Sequence, residues 1–380
     1  MGANDRRVRR IPPCGVQPLP CGYAASMSQP FHPPSLAGEA ARLRPPVDDP
    51  VARTASWAHG LLDAGLLDLP LPGRGATPER YSALAELGSV DLDLARLVEA
   101  HTDALAILSD LGAGDDPGPW AGRPGRELWG VWAANPPAAP LVAQRSGGTQ
   151  WRLEGTKPWC SGAGTCDRAL VTARTDEGYR LFAVHMAGGT ASPVRGSWSA
   201  RSMTGSDSRA VRFDSHPALA VGDPEAYLER PGFWHGAVGV AAVWLGGAAG
   251  VADALSRAHS KRPLDPHALA HAGAVDAALA AAGALLRDTA AAFDADPKDD
   301  TSRARLLAGR TRAVVEQTAT AVVDRVGRAL GAGPLAMDPE HARRVGDLLL
   351  YLRQSHAERD LAALGGRSLE VSPDDRDRPW

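Results

Sequence analysis

The hydrophobic period of this chain switches twice, from helical to strand-like and back to helical. Val51–Leu67 carries apolar residues at three- and four-residue spacing, and Leu94, Leu97, Val98, His101 and Leu105 form one stripe within Asp91–Leu111. Thr77, followed by Pro78 and Glu79, reads as the cap of a helix between them. From Glu127 to Val221 the apolar runs are short: Leu128–Ala134, Leu141–Arg145, Trp151–Glu154, Ala169–Ala173, Tyr179–His185 and Ala210–Phe213, separated by Gly-rich turns. Gly232–His259, His267–Asp294, Arg303–Leu330 and Glu340–Leu364 then follow as Ala-rich stretches of about 25 residues each, which suits a four-helix bundle. Pro263, Pro266, Pro297 and Gly331–Pro334 mark the breaks between them. The pattern predicts an α+β chain with an N-terminal helical domain (35–125), a central antiparallel β-barrel or sandwich (126–221) and a C-terminal four-helix bundle (222–366). A tail covers 367–380. The stretch 1–34 reads as a disordered leader or an over-called start, with Met27 as the alternative initiator.

With 380 residues and 44% hydrophobic content, the chain can bury a large core. Its net charge of −3 gives no footprint for a nucleic-acid partner. Arg6, Arg7, Arg9 and Arg10 precede a proline-rich stretch with no apolar segment, which excludes a secretory signal. No apolar run reaches the roughly 18 to 20 residues of a membrane helix, and Ala237–Leu255 reads as a buried core helix. Cys14, Cys21, Cys160 and Cys166 have no metal spacing with histidine, so reduced thiols and a cytoplasmic location are expected. Metal spacing such as His-Glu-x-x-His is absent, and neither a P-loop nor a Gly-x-Gly-x-x-Gly after a strand occurs, which disfavours a Rossmann-type dinucleotide site.

Four segments carry a resemblance. Leu153–Arg174, LEGTKPWCSGAGTCDRALVTAR, is similar to a Gly-x-Lys-x-Trp-Ile-Thr run followed by Asp and a strand. Thr204–Ser215, TGSDSRAVRFDS, is similar to a Ser-Asp-Thr-Arg strand, and Gly130–Pro137, GVWAANPP, stands where a Thr-Glu-Pro run is usual. Together with HAERDLAALG at His356–Gly365, these resemble the acyl-CoA dehydrogenase family over about Ser35–Gly365. The resemblance implies an FAD flavoprotein that desaturates an acyl thioester such as an acyl-CoA. It also implies an electron-transfer flavoprotein as acceptor and a homo-oligomeric assembly.

By that resemblance Trp159 and Ser161 face the flavin. An indole supplies a flat apolar wall, and a hydroxyl supplies a hydrogen-bonding partner for ring nitrogen and oxygen. Read as residues alone, they are a core tryptophan and a turn serine. Ala133 and Asn135 stand at backbone contacts to the same cofactor, and Arg328, Gly331 and Gly333 at the turn that approaches its adenosine half. Gly331 is equally a helix-ending glycine.

The base for abstracting an α-proton is missing from both usual places. Alignment through Tyr351 puts Ser355 at one, and Val240 falls at the other. A serine hydroxyl is too weak a base unless another group activates it. His356, Glu358 and His235 are the substitutes in reach, and each also reads as a surface or interhelical residue. His101, on an apolar stripe, reads as a satisfied core histidine. A flavin-dependent monooxygenase on the same fold needs no thioester base and is the alternative reading. A non-catalytic flavin-binding homologue is the third.

Overall fold

Helices α1 (Leu36–Leu43), α2 (Pro50–Asp63), α3 (Thr77–Val90) and α4 (Leu92–Leu111) open the chain in the computed structural model. It describes residues 35–112, 127–135, 140–148 and 150–370. The leader at 1–34, nearly all of the Gly/Pro linker, Pro136, Pro137 and the last ten residues lie outside them. Asp49 caps α2 by accepting from the Ala52 N–H at 2.8 Å, and Asp91 caps α4 by accepting from the Leu94 N–H at 3.1 Å. At α3 the cap expected from the sequence is not the one observed. Thr77 is the first helical residue rather than the cap, and a distant carboxylate takes over: Asp294 accepts from Thr77 N, Thr77 Oγ1 and Gly75 N.

Among the described residues seven strands follow: β1 (Trp129–Trp132), β2 (Val142–Gly147), β3 (Gln150–Cys160), β4 (Arg168–Thr175), β5 (Gly178–His185), β6 (Ala191–Pro193) and β7 (Arg209–Val221). Neighbour pairing runs β4–β2–β3–β7–β5 and returns to β4, so the sheet closes on itself, with β1 added to β4 and β6 to β7. Leu153, Val171, Phe182, Val184 and Phe213 fill the interior, where Trp151 meets Phe182 edge-on at 5.2 Å. Two features depart from the antiparallel barrel expected. β1 and β2 both run parallel to β4, a direction that side-chain alternation does not encode. β3 and β7 are also much longer than their apolar runs, because bulges near Leu153–Gly155 and Lys157–Cys160 interrupt the period of two that reveals a strand.

The C-terminal part comprises α5 (Ala226–Glu229), α6 (Gly232–Lys261), α7 (Pro266–Ala295), α8 (Ala304–Leu330), α9 (Gly333–Met337), α10 (Pro339–Tyr351), a 3-10 turn (Leu352–Gln354) and α11 (Glu358–Glu370). The single fourth bundle helix expected over Glu340–Leu364 is split. The chain turns extended at Ser355 and left-handed at Ala357 (φ 47°), and α11 runs on through Glu370. α6 is the core helix, and it approaches α3 through glycine. A Cβ at Gly246 would stand 1.9 Å from the Ala85 carbonyl oxygen, and one at Gly88 2.4 Å from that of Val243. α6 and α7 are both long and apolar enough to cross a membrane by length and composition. In α6 78% of that apolar window is buried within the fold, but in α7 only 17%, so α7 leaves an Ala-rich face uncovered.

Candidate functional site

The end of β3 breaks its own ladder. Lys157 pairs with Val211 and Cys160 with Arg209, so Pro158 and Trp159 form a bulge. Pro158 has no N–H to give the ladder. Trp159 adopts φ 56°, a left-handed conformation that costs a bulky side chain about 1–2 kcal/mol. The result is an indole that is 60% exposed, whereas Trp57, Trp129, Trp132 and Trp244 are nearly fully buried. Trp159 is thus a large aromatic held outward on strained backbone, which makes it a candidate for contact with a ligand.

Directly after the bulge, Ser161 turns back under the surface. The Trp132 indole N–H donates to its carbonyl at 2.9 Å, and its hydroxyl lies 2.8 Å from that of Ser208, which lies 2.8 Å from that of Ser206. The chain ends where Ser206 donates to the Met203 carbonyl at 2.7 Å. Backbone bonds hold the two segments in register: Gly162 N to Ser206 O at 2.7 Å, and Gly164 N to the Asp207 carboxylate at 2.7 Å. Gly162 must be glycine. Its φ is 72°, and a Cβ there would meet Cys166 Sγ at 2.5 Å.

The exit of β1 joins the same end of the barrel. Lys157 is 1% exposed with its ammonium 2.7 Å from Asn135 Oδ1, 2.6 Å from the Thr172 carbonyl and 2.8 Å from Thr172 Oγ1. Three acceptors match three N–H groups. Burial pulls the Lys157 pKa down to about 7, partly opposed by Cys160. Trp159, Ser161, Ala133 and Asn135 are thus brought to one corner by bonds between β1, β3 and β4.

The 203–206 loop beside that corner is pinned to α4 and α10, which meet in one ion-pair cluster. Asp93 on α4 accepts from Ser206 N at 2.9 Å, and Asp347 on α10 accepts from Met203 N at 2.6 Å. Arg343 bridges Asp91 at 3.0 Å, Asp347 at 2.8 Å and Asp93 at 3.8 Å. Burial, with Asp91 and Asp347 nearby, raises the Asp93 pKa to about 7 against the pull of Arg343. A Cβ on Gly205 would meet Thr54 Oγ1 at 2.5 Å and Asp93 at 2.6 Å, so only glycine lets this loop enter. A hollow of about 320 Å³ lies beside the loop, lined by Ala163–Asp167, His185–Ala187, Ala191 and Pro193. A larger one of about 770 Å³ lies elsewhere on the barrel, by Trp151 and Tyr179. Trp159 lines neither and stands on open surface.

The remaining sequence candidates lie elsewhere. His356 is half-exposed with its ring 3.3 Å from Asp360, and Glu358 is exposed at the start of α11. Arg328, exposed, pairs with Asp324 at 2.8 Å, while Gly331 (φ 69°) ends α8 and Gly333 begins α9, both open to solvent. His235 is buried against Phe293, ring centroids 4.3 Å apart, and burial lowers its pKa to about 4. His101 is a core histidine accepting from Trp129 N at 3.2 Å, also lowered to about 4, first by burial and then by Arg80 and His59. Two groups escaped the sequence reading. Glu316 on α8 accepts from the Ser355 hydroxyl at 2.7 Å and from Arg353 at 3.0 Å, a pairing that joins positions far apart in the chain. The hydroxyls of Ser206 and Ser208 align with Ser161 only through the β3–β7 register, although the TGSDS motif is visible in the sequence.

No family model matches the sequence, and no curated protein does. Solved structures match along nearly the whole chain. Dibenzothiophene monooxygenase TdsC from Paenibacillus sp. A11-2 is 20% identical with a TM-score of 0.75, covering 90% of this chain and 98% of that one. Methanesulfinate monooxygenase MsuC from Pseudomonas fluorescens is 20% identical with a TM-score of 0.74, over 89% and 95%. A nitrososynthase from Micromonospora carbonacea var. africana is 19% identical with a TM-score of 0.72, over 90% and 98%. The likeness establishes the fold. TdsC has also been solved with FMN and with FMN and indole.

Proposed function

We propose that the chain is a flavin-dependent monooxygenase whose isoalloxazine ring lies against Trp159 and Ser161. The observation that carries this is the strained, outward indole beside a buried hydroxyl, at a corner whose neighbouring loop is fixed to α4 and α10. The residues fit a flavin: Trp159 offers one flat apolar face, Ser161 a polar edge, and Ala133–Asn135 a backbone edge held by Lys157. A bound flavin supplies two-electron redox chemistry and reaction with dioxygen. The protein's own share is to orient the ring through the indole, fix its polar edge at Ser161, and keep both rigid through the Asp93–Arg343–Asp347 anchor.

FMN is the form proposed. The adenosine-side candidates Arg328, Gly331 and Gly333 are solvent-exposed, and solved structures of this fold carry FMN. The substrate class is a sulfur- or nitrogen-bearing compound, in line with dibenzothiophene and methanesulfinate in the names of TdsC and MsuC and with the amino sugar nucleotide solved in complex with KijD3. Desaturation of an acyl thioester keeps one observation in its favour: Glu316 stands 2.7 Å from Ser355, the position where that chemistry usually keeps its carboxylate.

One experiment separates the two. The protein is mixed with FMN, a flavin reductase and NADH under oxygen, with a panel of sulfides, sulfinates and primary amines. Products are then analysed by mass spectrometry for one added oxygen atom. In parallel, flavin-loaded protein is exposed anaerobically to an acyl-CoA panel. Oxygenated product with no anaerobic bleaching is expected. Bleaching by an acyl-CoA that Glu316→Gln abolishes would overturn the monooxygenase reading.

A further inference from the structure

The three serine hydroxyls at the candidate site form a chain whose direction is fixed at its buried end. Ser206 is fully buried and donates its only O–H to the Met203 carbonyl, 2.7 Å away, because a carbonyl cannot donate. The contact between Ser206 and Ser208 therefore takes its proton from Ser208. Having given that proton inward, Ser208 can only accept from Ser161, so the 2.8 Å contact between them uses the Ser161 proton. Each hydroxyl has one proton, so the direction propagates from Met203 to Ser161 without a choice at any step. Ser161 is left with lone pairs, and no proton, for a ligand.

We infer that Ser206 and Ser208 are positioning residues that make Ser161 a hydrogen-bond acceptor, so that the site selects the reduced flavin over the oxidised one. This rests on the flavin reading above. Oxidised isoalloxazine presents its N5 nitrogen as an acceptor, whereas two-electron reduction with protonation makes that nitrogen an N–H donor. An acceptor-only Ser161 pairs with the reduced ring and sets lone pair against lone pair with the oxidised one. The chain is rigid enough to hold this preference. Ser206 N is anchored to Asp93 at 2.9 Å, Met203 N to Asp347 at 2.6 Å, and Gly162 N to Ser206 O at 2.7 Å.

The inference makes an ordered prediction for two variants. In Ser206→Ala, Ser208 loses its inner acceptor and turns its proton on Ser161, which then sends its own proton outward. In Ser208→Ala, Ser161 has no inner partner and turns either way. Dissociation constants for FMN are measured by fluorescence titration, aerobically for the oxidised form and anaerobically with dithionite for the reduced form. The ratio of oxidised to reduced constants is expected to exceed about tenfold in the wild type, shrink in Ser208→Ala, and fall furthest in Ser206→Ala, following the worth of one matched hydrogen bond. Ser208→Thr, which keeps the hydroxyl, is expected to keep the wild-type ratio. The midpoint potential of bound FMN should follow the same order: above that of free FMN in the wild type, lower in Ser208→Ala and lowest in Ser206→Ala. Equal ratios in wild type and both alanine variants, with FMN bound throughout, would overturn the inference alone. Failure of wild-type protein to bind FMN in either state would overturn the flavin reading itself. Ser208→Ala, which leaves the buried Ser206–Met203 bond intact, keeps the test decisive if Ser206→Ala does not fold.

Discussion

Replacing Trp159 with glycine should damage binding far more than folding. Trp159 is 60% exposed, so about 40% of a side chain of about 250 Å² is already covered, or about 100 Å². At about 25 cal/mol per Å², losing that contact costs about 2.5 kcal/mol. Glycine removes the left-handed strain at φ 56°, recovering about 1–2 kcal/mol. The net loss of stability is about 1 kcal/mol, to be read as a small shift in the urea midpoint of the flavin-free protein. The exposed remainder is about 150 Å². A ring lying on one face covers roughly half, which is worth about 2 kcal/mol, or about 30-fold in the FMN dissociation constant. Trp132→Ala is the contrast: that ring is 2% exposed, and its loss should cost about 3–5 kcal/mol of stability. If Trp159→Gly lost about 4 kcal/mol of stability, or bound FMN as tightly as wild type, the outward indole would be a packing residue and the reasoning wrong.

Other outcomes follow from the same packing. Gly246→Ala must push α3 and α6 apart, because its Cβ falls 1.9 Å from Ala85 O; a loss of about 2–3 kcal/mol is expected in urea unfolding. Gly60→Ala on α2, with nothing within 4 Å of the added carbon, should instead gain up to about 1 kcal/mol. Asp93 binds its proton more tightly folded than unfolded, so its contribution to stability is lost as pH rises from about 4 to 7. Urea midpoints of Asp93→Asn should vary less across that range than those of wild type. Lys157 behaves oppositely and higher up: the folded chain releases its proton near 7, so stability rises with pH above that, and Lys157→Met should remove the rise.

The order of elements was legible because burial leaves a period in the sequence, 3.6 residues for α2, α4 and the bundle helices and two for the short strands. Trp159, Ser161 and Asn135 were legible as a group only through motif resemblance. Their chemistry was visible in residue type, but nothing in spacing said that Asn135 meets Lys157, twenty-two residues on in the chain. The bulge hid the length of β3 for the same reason that it shaped the candidate site: it broke the alternation and turned the indole outward. Where helix propensity runs continuous, as over Glu340–Leu364, the sequence showed one helix and the fold made two.

What the amino-acid order determined by itself was local: which segments are helical or extended, where glycine and proline break them, and that no metal motif is written along the chain. Tertiary structure decided everything that depends on partners distant in sequence. The closure of the barrel, the parallel course of β1 and β2, the α3–α6 glycine crossing and the direction of the hydroxyl chain all belong there. A period records which face of an element is buried; it carries no record of what that face, or a single hydroxyl on it, will meet.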